Sequence, residues 1–175
     1  MNGSVLQRDV SIAEPPSAPI AIAATEAQRR ALADAYDLVA VKALEATVEV
    51  IPVSGGLRVD GRVIADIVQT CVVSLAPVDE HIDEPLSVRF VDDPARLPAP
   101  GAEVVVDEET ADPPELLEGP TLDVGALVEE YFALAINPYP RAPGAELPAD
   151  AIDSGAADSP FAVLASLAKS PRPKG

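Results

Sequence analysis

Cys71 and His81 are the only cysteine and the only histidine in the chain, and they are the side chains best suited to nucleophilic chemistry. A cysteine nucleophile needs a base such as histidine within hydrogen-bond reach. His81 stands among acids in the stretch SLAPVDEHIDEP, which we interpret as a loop, whereas the pattern around Cys71 turns that side chain inward. Because burial in apolar surroundings raises the pKa of a thiol and leaves it inert, we predict no catalytic pair.

The same two side chains fall short of a metal site. Structural zinc takes four nitrogen or sulfur ligands, and a calcium loop needs a ladder of oxygen ligands around a central glycine. The stretches PVSGG and GPTLDVG lack the glycine spacing of a phosphate-binding loop. The residue types therefore predict no catalytic residue, no cofactor and no metal ligand.

The chain is strongly acidic, with 29 Asp and Glu against 12 Lys and Arg and a net charge of −17. Such a chain repels nucleic-acid phosphates at long range. Between Arg96 and Arg141 no Lys or Arg occurs. Two interpretations are open for the acids of this stretch: solvated loops that aid solubility, or a face for a basic protein partner. On the second interpretation, the candidate partner contacts are Glu103, Asp107, Glu108, Glu109, Glu129 and Glu130.

A smaller set of cations could instead contact phosphate. Arg58 and Arg62 share one strand face with Asp60 and Asp66, so cross-strand ion pairs and a small phosphate-binding patch are both open. The C-terminal stretch KSPRPKG adds further cations. The candidate RNA contacts are Arg58, Arg62, Lys169, Arg172 and Lys174.

The stretch LRVDGRVIADIVQTCVVSL, residues 57–75, must position Cys71. Successive side chains of a strand point to opposite faces, and Cys71 shares its parity with apolar residues such as Val59 and Ile67. Gly61 is a candidate β-bulge, and a strand this long should bend or break at least once. The turn SGG, residues 54–56, predicts a hairpin with an earlier strand.

Other segments also have the composition of strands. Residues 47–50 alternate, and Pro52, which lacks an amide donor, places that strand at an edge or ends it. Residues 5–12 are a possible strand, and residues 85–91 and 102–108 are further candidates, separated by a proline-rich loop. ETADPPELLEGP is interpreted as an acidic loop.

Two helices are predicted with clear starts. Thr25 and Gln28 form a capping box for a helix over residues 26–36. Asp123 caps a second helix, which ends at Asn137–Pro138. The predicted apolar stripe of this second helix comprises Val124, Leu127, Val128, Tyr131, Leu134 and Ala135.

The C-terminal part differs in composition. Residues 139–158 are rich in Pro, Ala, Gly and Asp and are interpreted as a flexible linker. Residues 159–175 predict a short amphipathic helix with Ser159 as its cap and Pro160 at its first position, followed by a basic tail. This helix either folds back onto the domain or docks on a partner. Its candidate docking side chains are Phe161, Leu164 and Leu167.

These elements predict one α+β domain over residues 1–138. Its architecture is a curled antiparallel sheet of four or more strands with helices packed on one face, and extended termini. A single cysteine cannot form an internal disulfide, and neither a secretory signal nor a membrane span is visible. We therefore expect a cytoplasmic protein.

The order of these motifs resembles the bacterial YceD family, the large ribosomal RNA subunit accumulation proteins. The stretches that carry the resemblance most specifically are GRVIADIVQTCVVSLAPV and DVGALVEEYFALAINPYP. The resemblance extends from Val5 to Lys169, which is nearly the whole chain.

This resemblance implies a role in ribosome biogenesis, namely 23S rRNA accumulation and large-subunit assembly, with no enzymatic reaction. Many members carry paired cysteines near the position of Cys71 and after the second helix, which has prompted a metal- or nucleic-acid-binding label. This sequence departs from that pattern, because Cys71 has no neighbouring cysteine and NPYPRAPGAELPA contains none.

Together with its charge, the resemblance indicates a non-catalytic assembly factor. We expect it to recruit a basic partner, either a ribosomal protein or another assembly factor. The alternatives are a protein that binds 23S rRNA or its precursor directly, and a metal-binding protein.

Overall fold

Three long antiparallel strands form the centre of the molecule in the computed structural model, which describes residues 4–97 and 113–146. They are β3 (Ala40–Val53), β4 (Gly56–Thr70) and β5 (Pro77–Val91). β2 (Ile20–Ala23) pairs with β3, and the two-residue β6 (Glu115–Leu116) lies parallel to the end of β5. The sheet order is β2-β3-β4-β5-β6.

A second, two-stranded sheet and two helices complete the described residues. β1 (Asp9–Ser11) pairs antiparallel with β7 (Thr121–Asp123). Helix α1 (Glu26–Ala35) packs against β3, and helix α2 (Val124–Ala135) packs against β4 and β5. A 3-10 turn, Pro94–Arg96, follows β5. The predicted α+β class, with antiparallel pairing at the centre of the sheet, is confirmed.

The predicted hairpin between β3 and β4 is confirmed. Gly55 has φ 76°, a left-handed conformation that costs glycine little. Pro52 lies near the hairpin, where β4 is the only neighbour of β3 among the described strands because β2 reaches no further than Val48. The missing amide of Pro52 is therefore tolerated at an edge, as its position in the sequence indicates.

The expected bulge at Gly61 is wrong. Gly61 keeps regular register with Val48 on one side and with Leu86 on the other. The irregularity lies in β3 instead, between Val41 and Ala43. Glycine is needed at position 61 for another reason: a Cβ there would lie 2.5 Å from the carbonyl oxygen of Thr47, which is closer than van der Waals contact permits.

The strand through Cys71 ends earlier than the alternation predicts. β4 stops at Thr70, a turn follows, and β5 begins at Pro77. Leu75 lies in this turn with φ 60° and is 76% exposed. His81 therefore lies within β5 and not in a loop. The acidic residues around His81 are the reason for the loop prediction, but acids are also common on the solvent-facing side of an antiparallel strand.

Both helix starts are confirmed. Thr25 and Gln28 form the capping box of α1, and Asp123 Oδ1 accepts hydrogen bonds from the amides of Gly125 and Ala126 at 3.0 and 3.1 Å. The same oxygen accepts the amide of Arg8 at 2.8 Å. One carboxylate thus caps α2 and holds the N-terminal segment.

The apolar face of α2 is rotated relative to the predicted stripe. Phe132, which the stripe omits, is fully buried and meets the ring of Tyr36 edge-on at 5.8 Å between centroids. Leu134, which the stripe includes, is 76% exposed. α2 is apolar at most positions other than Glu129 and Glu130, so its periodicity is weak and packing decides which side faces the core.

After α2 the chain crosses the end of the sheet as a strap, which we define as residues 137–142. The carbonyl of Asn137 accepts a hydrogen bond from Gln69 Nε2 at 2.9 Å. The carbonyl of Pro140 accepts the amide of Val72, also at 2.9 Å. The stretch interpreted as a linker therefore begins with residues that are hydrogen-bonded to the turn after β4.

Other strand predictions have mixed outcomes. Of the possible strand at residues 5–12 only Asp9–Ser11 is extended and paired, and the acidic loop after residue 109 contains the short β6. The predicted strand at residues 102–108 lies outside the described residues. None of the described helices is both long enough and apolar enough to cross a membrane.

Candidate partner-binding groove

The sulfur of Cys71 is surrounded by backbone amides and not by apolar groups alone. Its side chain is completely buried, and its Sγ accepts hydrogen bonds from the amides of Val73, Ser74 and Ala142 at 3.3 to 3.4 Å. The amide of Ala142 and the hydrogen bonds of Ser74 lower the pKa of the thiol to about 6. The expectation of a raised pKa is wrong, because donated hydrogen bonds outweigh desolvation.

No described base can activate this thiol. His81 Nδ1 lies 2.7 Å from Asp66 Oδ1 on the exposed face of the sheet, whereas Cys71 is buried in the turn after β4. The sulfur of Cys71 therefore lies between the turn and the strap, where it accepts hydrogen bonds from both. It does not contact His81.

The residues around Cys71 do not fit a metal ion. Within residues 4–97 and 113–146, no group of three or more His, Cys, Asp or Glu side chains could hold one. The sulfur already faces three amide donors, and a zinc ion would require further sulfur or nitrogen ligands in their place. The described part of this chain therefore lacks the set of ligands that the metal-binding label of members with paired cysteines would require.

The two candidate RNA-contacting arginines are held by carboxylates. Arg62 makes a two-pronged contact to Asp83 across β4 and β5, with Nη2 at 2.6 Å from Oδ2. Arg58 Nε lies 2.8 Å from Asp60 Oδ2 on the same strand. The ion-pair interpretation of these arginines thus matches the geometry. The other candidate RNA contacts, Lys169, Arg172 and Lys174, lie outside the described residues.

The two candidate acids on α2 have different surroundings. Glu129 is half-buried: its Oε2 accepts the hydroxyl of Ser4 and the amide of Val5, each at 2.7 Å, and its Oε1 accepts the hydroxyl of Tyr36 at 3.2 Å. Glu129 therefore fastens the N-terminal segment to α2. Glu130, the next residue, points to solvent.

Glu130 lines a groove between α2 and the outer edge of β5. The groove has a volume of about 450 Å³. Glu115 of β6 faces it as well, and both burial and the negative charge of Glu130 raise the pKa of Glu115. The acidic groove, as we call it, is lined by Ser87, Val88, Arg89, Pro113, Pro114, Glu115, Glu130, Tyr131 and Leu134.

One cation and one exposed apolar side chain complete the acidic groove. Arg89 is exposed, and no described carboxylate forms an ion pair with it. Leu134 is 76% exposed on the α2 side. Within the described residues, the groove thus places a carboxylate pair and one arginine beside an uncovered leucine.

The edge of β5 that borders this groove has few strand partners. Among the described residues only Phe90 and Val91 pair with β6 on that side. Tyr131 Oη donates to the carbonyl of Ser87 at 3.1 Å, so one edge carbonyl is already satisfied. Pro85 lacks an amide altogether, a device that limits unwanted strand pairing.

The sequence does not single out Arg89 and Leu134 as groove residues, and it indicates Glu115 only as one acid of the stretch between Arg96 and Arg141. Among the named candidate contacts only Glu130 lies in the groove, and in sequence it is indistinguishable from its neighbour Glu129. Glu129 and Glu130 have different surroundings because the N-terminal segment packs against the side of α2 that carries Glu129. The remaining candidate contacts, Glu103, Asp107, Glu108, Glu109, Phe161, Leu164 and Leu167, lie outside the described residues.

Comparison with known families gives one match. The sequence model of the family described as "Large ribosomal RNA subunit accumulation protein YceD" matches residues 59–168, which is more than half of the chain. No curated protein and no solved structure matches the chain.

Proposed function

Because the chain belongs to the YceD family of large ribosomal RNA subunit accumulation proteins, we propose that it is a non-catalytic factor that recruits a basic protein during large-subunit assembly. The partner is a ribosomal protein or another assembly factor, met in the cytoplasm where ribosomes are assembled. The acidic groove is its contact on this protein.

The observation that carries this proposal is the carboxylate pair Glu115 and Glu130. Partial burial, and after it the negative charge of Glu130, raise the pKa of Glu115, which supports a site where a second negative charge is disfavoured. A lysine or arginine from a partner would relieve this repulsion, since an opposite charge within a few ångströms favours the ionised form. The groove therefore favours a cationic occupant.

Leu134 adds an apolar contact to the charge preference. An exposed leucine beside a charged pair suits a partner segment that presents an apolar side chain next to its cations, and such mixed surfaces are typical of protein interfaces. Charge steers the encounter and sets its salt dependence, whereas apolar contact slows dissociation.

Direct binding of 23S rRNA or its precursor is supported less well. Arg62 and Arg58 are engaged by Asp83 and Asp60, so each would have to leave a carboxylate before it could bind phosphate. The net charge of −17 opposes that binding further.

The test uses the full chain as bait against the dissociated proteins of purified large subunits, with bound proteins identified by mass spectrometry. The double variant Glu115→Gln/Glu130→Gln should lose the basic protein that the natural chain captures. The matched control is Glu45→Gln/Glu49→Gln, which removes two exposed acids from β3 on the outer face of the sheet. Binding should weaken steeply as salt rises.

The same variants should be compared in a deletion strain by the ratio of 23S to 16S rRNA. The groove variant should fail to restore the ratio, and the β3 variant should restore it. Equal capture by both double variants would contradict recruitment through the acidic groove.

A further inference from the structure

The turn between β4 and β5 presents exposed apolar side chains at one end of the molecule. We define the apolar tip as Val72, Leu75 and Tyr139, which are 47%, 76% and 72% exposed. The amide of Val72 donates to the carbonyl of Pro140 at 2.9 Å, which brings the turn and the strap together. Three uncovered apolar side chains at one place suggest an interaction surface.

Leu75 is unfavourable in the turn for a second reason besides its exposure, namely its backbone conformation. Its φ of 60° lies in the left-handed region, where a bulky side chain is an outlier and where glycine would be comfortable. The turn is nevertheless held in this shape, because the amide of Leu75 donates to the carbonyl of Cys71 at 3.0 Å. Strain that presents an apolar side chain to solvent is offset if that side chain is covered.

The C-terminal part of this chain is well suited to cover the tip. The strap is bound beside the tip through Ala142 and Cys71, and the described residues end shortly after it at Glu146. Residues 147–160 separate Glu146 from Phe161, and a chain of that length spans up to roughly 45 Å when extended. A tethered segment that can reach its site has an effective concentration on the order of millimolar.

The composition and charge of the C-terminal segment also suit the apolar tip and its surroundings. The segment from Phe161 to Leu167 presents apolar residues at helical spacing, followed by a basic tail. Glu80 lies on β5 opposite Ile67, on the side of the sheet that the strap crosses, and no described cation pairs with it. A basic tail that follows the apolar segment would meet an acid there.

We propose that the apolar tip is the docking site for residues 161–167 of the same chain. The segment covers Leu75 and its neighbours when no partner is bound. A partner that needs Phe161, Leu164 and Leu167 must displace the segment from the tip, so the docked form competes with recruitment through that segment. The proposal does not depend on the acidic groove.

The absence of tryptophan from the chain allows a direct test. In the full-length variant Phe161→Trp, the single tryptophan should emit at a shorter wavelength than in urea and should resist quenching by iodide. Adding Leu75→Ser should shift the emission to that of the unfolded chain and restore quenching. The matched control is Leu134→Ser, since Leu134 is equally exposed but lies on α2.

Dilution distinguishes docking within one chain from docking between two copies. An emission maximum independent of protein concentration supports the proposal, and one that moves to longer wavelength on dilution overturns it in favour of a second copy. An emission equal to that in urea before any second substitution overturns docking altogether. Loss of the short-wavelength emission with Leu134→Ser but not with Leu75→Ser would move the segment to the acidic groove and overturn the tip as its site.

Discussion

The backbone amide of Ala142 donates a hydrogen bond to the sulfur of Cys71 across 3.3 Å. This contact joins a residue of the strap to the end of β4, and the turn amides of Val73 and Ser74 converge on the same atom. The single thiol is therefore the acceptor that ties the turn and the strap together. The thiol thus contributes hydrogen bonds to the fold in addition to filling space in the core.

Replacing Cys71 by alanine should lower the thermal midpoint by about 3–8 °C, because three amides would lose their acceptor in a site closed to water. Calorimetry of the full chain measures this change. Ser74→Ala is a graded comparison: it removes the side-chain hydrogen bond of Ser74 to the sulfur but keeps the amide of residue 74, so it should lower the midpoint by less than Cys71→Ala does. An unchanged midpoint for Cys71→Ala would contradict the tying role.

The lowered pKa of Cys71 predicts a pH dependence with a definite sign. With the folded pKa at about 6 and the usual value at 9, the unfolded chain binds more protons between these limits, so stability should rise with pH from about 6 to 9. Urea unfolding at several pH values should show this rise for the natural chain and lose it in Cys71→Ala.

Alkylation of the native thiol should nevertheless be slow. The side chain is fully buried, and reactivity requires access as well as thiolate character. Iodoacetamide at pH 8 should label Cys71 much faster in urea than in the native protein. Equal rates in the two conditions would show that the turn opens readily.

Glu129→Gln and Glu130→Gln should separate two acids that are adjacent in sequence. Glu129→Gln weakens charge-assisted bonds to Ser4 and Val5 and should cost about 1–2 kcal/mol of unfolding free energy. Glu130→Gln removes a repulsion with Glu115 and should be neutral or slightly stabilising. Urea titration of both variants measures the difference, and equal effects would contradict the contacts of Glu129.

Glu115→Gln should stabilise the protein only where Glu115 is ionised. Its raised pKa means that the folded state holds its proton more tightly than the unfolded chain, so the natural protein loses stability as pH rises through this pKa. The variant should gain a few tenths of a kcal/mol at pH 7, as is typical of exposed charge pairs. This gain should vanish at pH values below the usual pKa of 4.5.

Tyr36→Phe should reduce sensitivity to alkali. Burial, followed by the charge and hydrogen bond of Glu129, raises the pKa of Tyr36 above 10. A raised pKa contributes stability that is present below pH 10 and is lost as pH rises through the folded value. The loss of unfolding free energy between pH 8 and pH 11, measured by urea titration, should therefore be smaller in the variant than in the natural chain.

Local signals in the sequence predicted the elements whose causes are local. The capping box at Thr25 and Gln28 and the cap at Asp123 are formed by residues within three positions of one another, so the helix starts were correct. Alternation predicted the inner face of β4 for the same reason. It failed beyond Thr70, because the turn there is held partly by hydrogen bonds to the strap, which lies far along the chain.

The acidic groove could not be predicted because its members come from three distant segments. Glu115, Arg89 and Glu130 meet only when β6 adds to the end of β5 and α2 lies beside that edge. The weak periodicity of α2 leaves its orientation open, so the predicted stripe includes the exposed Leu134 and omits the buried Phe132. Packing of the ring of Phe132 against Tyr36 decides that rotation.

The amino-acid sequence by itself determined the acidity, the α+β class, the hairpin and the start of each helix, since these depend on composition and on neighbours along the chain. Tertiary structure alone decided that Cys71 accepts an amide from the strap and that Glu129 is half-buried while Glu130 faces solvent. It also decided that the exposed Leu75 of the apolar tip has φ 60°. Those properties arise where segments far apart in sequence pack together, and no local pattern records which segments will meet.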